Sequence, residues 1–253
     1  MTCGGRSKVI DRETWINRFY KEKFPKFYCS KCHRGRLIPK DGFEAHEPEY
    51  SSRVHGEDWH DFEMVLLRIG GLLKCSDSEC GELASYYGVG EVFRYEDFSD
   101  EDGYRWEQLY EIKSIYPSPA IIAIPSETPS TVANALLASF NSFWIDYGLC
   151  ANAIRRSLEY LLDHFDVPRE SNKGKRLIFV QRIETLEVAN PDSHSFVDAM
   201  RIFLNEGSHQ NLDSPTLLFD AFEALEIYLD DTFGKRKERF EELKANLKNM
   251  SNN

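Results

Sequence analysis

Two close cysteine pairs constrain this chain more than any other feature. Cys29 and Cys32 bracket two residues, Cys75 and Cys80 bracket four, and each pair is followed closely by a glycine, Gly35 and Gly81. A tight Cys-x-x-Cys turn points its amide groups at its own sulfurs, so two such turns brought together form a four-thiolate cage. In a reducing compartment such pairs predict metal ligands rather than disulfides, and a structural Zn2+ is the expected occupant. Two independent thiol pairs are the alternative, while Cys3 and Cys150 stand alone. The run Cys29-Ser30-Lys31-Cys32-His33 also spells the covalent haem attachment motif, but no export signal precedes it and a second pair lies downstream.

The flanks support a ribbon around that cage. Phe62–Lys74 feeds the second pair, and Glu82–Tyr95 follows it, rich in aromatic and β-branched residues with glycines at the breaks. Strand, knuckle, strand is the order of a zinc ribbon. The second knuckle is longer than usual, and residues 33–74 form an insertion between the pairs. Within it His46, His55 and His60 stand among acids and tyrosines and read as polar surface.

Ahead of the first pair, Asp11–Tyr20 reads as a short helix capped by Asp11, with Trp15, Ile16, Phe19 and Tyr20 on one face. Aromatic residues interleaved with lysines, as in Phe24–Tyr28, can stack on bases, but at helical spacing they more often form core. Residues 1–40 carry eleven Lys+Arg against three Asp+Glu, although the chain as a whole has a net charge of -11. This basic arm either contacts nucleic acid or docks on the chain's own acidic body. Glu96–Gly103 holds five acids and reads as a solvated loop, with a further extended segment over Trp106–Ile115.

Pro117, Pro119, Pro125 and Pro129 make an extended connector, and beyond it the apolar spacing changes to 3.6. Five helices are expected: one on Val132, Leu136, Phe140 and Phe143; one from Leu149 to Phe165; one over Leu177–Leu186; one capped by Ser193 or Ser195 and running through Met200 and Leu204; and one starting near Pro215. The charged run Lys235–Lys248 is either an exposed helix or a coiled tail. The fold class is therefore α+β, with a basic N-terminal helix and β-rich zinc ribbon domain over 1–118, a five-helix bundle over 119–234 and a charged C-terminal segment over 235–253. The longest apolar run, Ile121–Ile124, lies between prolines and is too short for a membrane span, and Met1–Arg6 lacks the apolar core of a signal peptide, so a cytoplasmic protein with no membrane partner is expected.

The segments Tyr116–Ala120 with Ile124-Pro125, Ala151–Glu159, Leu177–Leu186 and Arg201-x-x-x-Asn205-x-x-x-His209 together resemble the domain-of-unknown-function 4145 family over roughly residues 105–230. The cysteine pairs are similar to the ribbon often found ahead of that domain. The family is similar in turn to the HEPN group of helical bundles in toxin and antiviral systems, many of them dimeric, metal-independent ribonucleases. The resemblance implies a homodimer and a defence or toxin-related setting.

Metal-free RNA cleavage needs a base for the 2′-hydroxyl and a cation for the developing phosphorane charge, tasks that suit His and Arg. Asn205 and His209 match the end of the HEPN pattern Arg-Asn-x-x-x-His, but Leu204 stands where the arginine belongs and Arg201 lies one turn earlier. Three readings of His209 stay open: catalysis with Arg201 and Asn205; a structural joint with Asn205 or Glu206 and one of Arg155 and Arg156, near Glu159; or plain surface. The Leu204 departure favours the joint. There is no Gly-rich phosphate loop, Gly-x-Ser-x-Gly turn or His-Glu-x-x-His helix. The residues therefore favour a zinc-containing binding or regulatory protein that contacts nucleic acid or a protein partner, with a HEPN-type ribonuclease using His209 and Arg201 as the rival.

Overall fold

The computed structural model describes residues 10–97, 99, 103–209 and 215–250. The chain divides into two units, one made of Asp11–Ala120 with Phe143–Ile145, the other taking up Ile121–Ser142 and continuing from Asp146.

The first unit is a curled antiparallel sheet of β1 (Leu37–Pro39), β2 (Ala45–His46), β3 (Leu66–Cys75), β4 (Leu83–Glu96) and β5 (Tyr104–Tyr116), with two short helices, α1 (Arg12–Ile16) and α2 (Glu49–Ser52). The strand order is β1-β3-β4-β5, and β2 also pairs with β3. Side chains alternate between faces along a strand, and one face carries the core: Leu67, Ile69 and Leu73 of β3, Ala84 and Tyr86 of β4, Tyr110 and Ile115 of β5. Onto it pack Phe19, Phe24 and Phe43, with ring centroids 4.8–5.9 Å apart. Burying a ring as fully as Phe19 contributes about 1.5–3 kcal/mol.

The helix expected over Asp11–Tyr20 ends at Ile16. Phe19 instead exchanges both backbone hydrogen bonds with Tyr110, each at 2.9 Å, and buries its ring beside that tyrosine. Tertiary pairing here overrides local helix preference. Ile16 and Tyr20, expected on the buried face, are exposed. Phe62–Met64, expected to open the strand, forms a 3-10 turn before β3.

The second unit contains α3 (Ser130–Phe143), α4 (Tyr147–His164), α5 (Phe179–Ala189), α6 (Pro191–His209), α7 (Thr216–Phe233) and α8 (Arg236–Met250). The 3.6-residue stripes bury Val132, Leu136 and Phe140 on α3, Ile154, Leu158, Leu161 and Leu162 on α4, Ile183 and Leu186 on α5, Val197, Met200 and Leu204 on α6, and Leu218, Phe222, Leu225 and Leu229 on α7, whereas Leu149, Val180 and Leu217 are exposed. The charged segment is a helix, with Phe240, Leu243 and Leu247 exposed.

The start of α6 differs from expectation. Asn190, not Ser193 or Ser195, caps it, its Oδ1 accepting the Ser193 N–H at 3.1 Å. Pro191 then occupies the first turn, where no amide hydrogen is missed. Ser193 is buried, its hydroxyl accepting from Tyr228 at 2.7 Å. No described helix is long and apolar enough to cross a membrane.

Candidate metal centre

The antiparallel ladder places the two cysteine pairs. Leu37, five residues after Cys32, is in register with Cys75, so β1 carries the first knuckle onto the end of β3 where the second begins. Ser76 and Arg36 tie the knuckles further: the Ser76 N–H donates to the Arg36 carbonyl at 2.8 Å, and the Arg36 N–H to the Ser76 hydroxyl at 2.9 Å. Around the rim, Lys31 pairs with Glu82 at 3.2 Å, and Arg34 with Asp77 and Glu79 at 2.9 and 3.2 Å.

Each knuckle turns the same way. The residue directly after the second cysteine is left-handed in both, His33 at φ 54° and Gly81 at φ 61°. Glycine accepts that conformation freely; His33 adopts it with its N–H bonded to the Cys29 carbonyl at 3.0 Å. Gly35 does different work. A Cβ at Gly35 would lie 2.3 Å from Cys75 Sγ and 2.9 Å from the Asp77 amide nitrogen. Only a residue without a side chain lets the knuckles close on each other.

The four sulfurs of Cys29, Cys32, Cys75 and Cys80 lie within 4.8 Å of one another. Cys29–Cys80 and Cys32–Cys75 are 3.8 and 3.6 Å apart, far beyond the ~2.05 Å of a disulfide. Tetrahedral coordination at ~2.3 Å per Zn–S bond requires sulfurs roughly 3.8 Å apart, which these separations approach. Backbone N–H groups already point at the sulfurs, Gly35 to Cys32 at 3.3 Å and Asp77 to Cys75 at 3.4 Å. The donor set therefore fits a zinc ion, and four thiolates leave no open position for a substrate.

Electrostatics agree. Burial pushes the Cys75 thiol up to about 12, opposed only in part by the Asp77 N–H, with the neighbouring thiols acting alongside burial. Burial also pushes Cys29 up. For Cys32 burial works against ionisation, but the Gly35 and Arg34 N–H groups and the sulfurs of Cys75 and Cys80 bring it down to about 7. Cys29 and Cys75 thus resist ionising in this surrounding, and a bound dication is what would offset that cost.

The other sequence-derived residues are not gathered into a comparable site. Among the described residues the cysteine cluster is the one group of three or more His, Cys, Asp or Glu side chains placed to hold a metal. Arg201 Nε donates to Asp198 Oδ1 at 2.8 Å along α6. Asn205 and His209 lie in α6, but their side chains fall outside the described part of the structure. Arg155 meets Glu159 at 3.7 Å and lies over the Phe179 ring, whereas Arg156 is exposed.

Arg182 escaped the sequence reading. It is 4% exposed, and its guanidinium donates to Asp163 Oδ1 at 2.7 Å and to the carbonyls of Val167, Pro168 and Glu159 at 2.9, 3.3 and 3.4 Å. It thereby binds the carbonyl end of α4. In sequence it is one arginine on an amphipathic helix, and nothing nearby marks it. The αL turn at His33 had a signal, since Gly81 holds the matching position in the other knuckle.

Of the basic arm, Arg18, Lys31 and Arg34 face this chain's own acids, Arg18 reaching Glu91 at 2.8 Å, whereas Arg36 lies over the Tyr28 ring. Residues 17–115 match the model of a family described as Domain of unknown function (DUF8608), and residues 138–252 match Domain of unknown function (DUF4145). Comparison with curated proteins and with solved structures gave no match.

Proposed function

With its segment 138–252 a member of the DUF4145 family, the chain is, we propose, a zinc-containing binding or regulatory protein rather than a metalloenzyme. The observation that carries this reading is the closed donor set: four cysteine sulfurs within 4.8 Å, with Cys29 and Cys75 buried. Zinc in such a shell holds knuckles in place and has no ligand position to offer a reactant. The sheet unit is then a rigid platform, and the exposed surface around it is where a partner binds. The likeness of the helical half to the HEPN group is the ground for proposing a homodimer in a defence or toxin-related system. Arg201 is engaged by Asp198 and half-buried, which favours a structural task for it over phosphate chemistry.

Two measurements on the purified full chain test this. Elemental analysis is expected to give one zinc per chain, lost in Cys29→Ser/Cys75→Ser. Mixed RNA incubated without added metal is expected to stay intact; cleavage by the wild type that disappears in His209→Ala would replace the binding reading with the ribonuclease.

A further inference from the structure

The two faces of the sheet treat their aromatic residues differently. On the core face Tyr86 and Tyr110 are enclosed by other rings. On the opposite face Tyr87 is 57% and Tyr116 67% exposed, and neither ring meets another ring or a cation among the described residues. Register places them together: Tyr87 is opposite Ser114 on β5, and Tyr116 is opposite Ser85 on β4, a diagonal spacing of roughly 7–8 Å on one face. Gly70 of β3 lies opposite Tyr87, leaving its flank open.

We propose that this face, bearing Tyr87, Tyr116, Lys74 and Arg68, binds single-stranded nucleic acid by stacking successive bases on the two tyrosines. The proposal rests on the binding-protein reading above and names its ligand. An unpaired base offers a π-face to an exposed ring whatever its identity, and two rings one strand apart suit consecutive splayed bases. Leu72, Leu83 and Ile38 extend the apolar floor. Lys74 lies between Ile38 and Leu83, and Arg68 opposite Val89, on the same face. Both are exposed, and neither meets a carboxylate among the described residues. Arg68 donates instead to the Leu67 carbonyl and the Tyr50 hydroxyl, each at 3.1 Å. These two cations supply phosphate contacts.

The net charge of -11 does not oppose this locally. The acid-rich turn between β4 and β5 begins at Glu96, nine residues along the strand from Tyr87, roughly 30 Å away at ~3.3 Å per residue. That is several Debye lengths at physiological salt, about 8 Å each. Glu91 and Glu111, on the same face, are already bound by Arg18 and Lys113.

The test uses the full-length, zinc-loaded chain and fluorescein-labelled U15, dT15 and a 15-base-pair duplex, read by fluorescence anisotropy. The wild type is expected to bind the single strands and not the duplex, the U15 and dT15 arms separating RNA from DNA as the source. Tyr87→Ala and Tyr116→Ala should each weaken binding about tenfold, while Tyr87→Phe keeps it. With two phosphate contacts, log K should fall against log salt with a slope of about -1.4, and Lys74→Ala should bring it to about -0.7. Both tyrosines are exposed, so unchanged thermal melting shows that the variants are folded. Three results overturn the proposal: no single-strand binding by the wild type, binding indifferent to both tyrosines, or equal binding of the duplex. A dimer in light scattering that Tyr87→Ala/Tyr116→Ala dissociates would assign the face to a second copy of this chain and likewise overturn it. Zinc measured in the same samples keeps the readings apart: zinc present without oligonucleotide binding removes this inference alone, and zinc absent removes the structural centre beneath it.

Discussion

The two units reach order by different routes. The helical unit buries amphipathic stripes from five helices against one another, with Arg182 as a buried polar anchor where α4 ends. The sheet unit covers one face of its strands with aromatic rings and leaves much of the other in solvent, so its core is one-sided and its β1 strand is three residues long. A layer of that kind gains less from burial, and cross-links make up the difference. Four sulfurs placed where β1 meets β3 are where a metal ion could supply such a cross-link. The contrast teaches that the candidate metal site lies in the unit with the weaker claim to a core of its own.

The largest effect should come from removing the metal. Strong chelation, or Cys29→Ser with Cys75→Ser, is expected to unfold the sheet unit, since a structural zinc supplies on the order of 10 kcal/mol of apparent folding energy. The readout is loss of near-ultraviolet dichroism from its tyrosines and tryptophans while helical far-ultraviolet signal persists. Equal loss of both signals would erase the contrast.

Arg182→Ala should act the other way round, lowering the stability of the helical unit by about 3 kcal/mol and leaving zinc content unchanged, because it leaves the carbonyls of Glu159, Val167 and Pro168 without their buried donor and takes from Asp163 one of its two arginines. Denaturant melts followed at helical wavelengths measure it. The same network sets an acid limit. The Asp163 carboxyl is held below its ordinary value by Arg169 first and then by Arg182. Its stabilisation is therefore present above the unfolded-state value near pH 4 and is lost as pH falls through the folded value. Helical stability should decline in that acid range, and less steeply in Arg182→Ala.

Gly35→Ala should weaken zinc affinity about tenfold, as changes beside metal ligands commonly do, because its new Cβ displaces Cys75 Sγ. Competition against a chromophoric chelator reads it directly. The smallest effect is expected from Asn190→Ala, which removes the α6 cap at a cost of about 1 kcal/mol, seen as a modest shift in the helical melt.

What was legible in the sequence follows from range. Cys29, Cys32, Cys75 and Cys80 were readable because knuckle chemistry is local, and the buried stripes of α3 to α7 because helical period is local. The end of α1 was not, because it is decided by Tyr110, remote in sequence, taking both backbone hydrogen bonds of Phe19. The cap of α6 was misplaced by weighing serines over an Asn-Pro step already able to start a helix. Arg182 was illegible because its value lies in carbonyls of another helix. Leu204, read as the departure from the HEPN pattern, is a buried core residue of α6, which accounts for an apolar side chain at that position.

The ladder joining β1 to β3 has a further consequence for chain length. Pro39 pairs with Leu73, and β3 runs back from there to Leu66, so the segment between the two strands is a loop clamped at both ends, with the sulfurs beside one clamp. The entropy of closing such a loop rises only logarithmically, about 0.6 kcal/mol for each doubling. The segment between β2 and β3, which carries α2, can therefore lengthen by many residues while the knuckles keep their distance. It is the part of this sheet unit freest to acquire new contacts without loosening what holds it together.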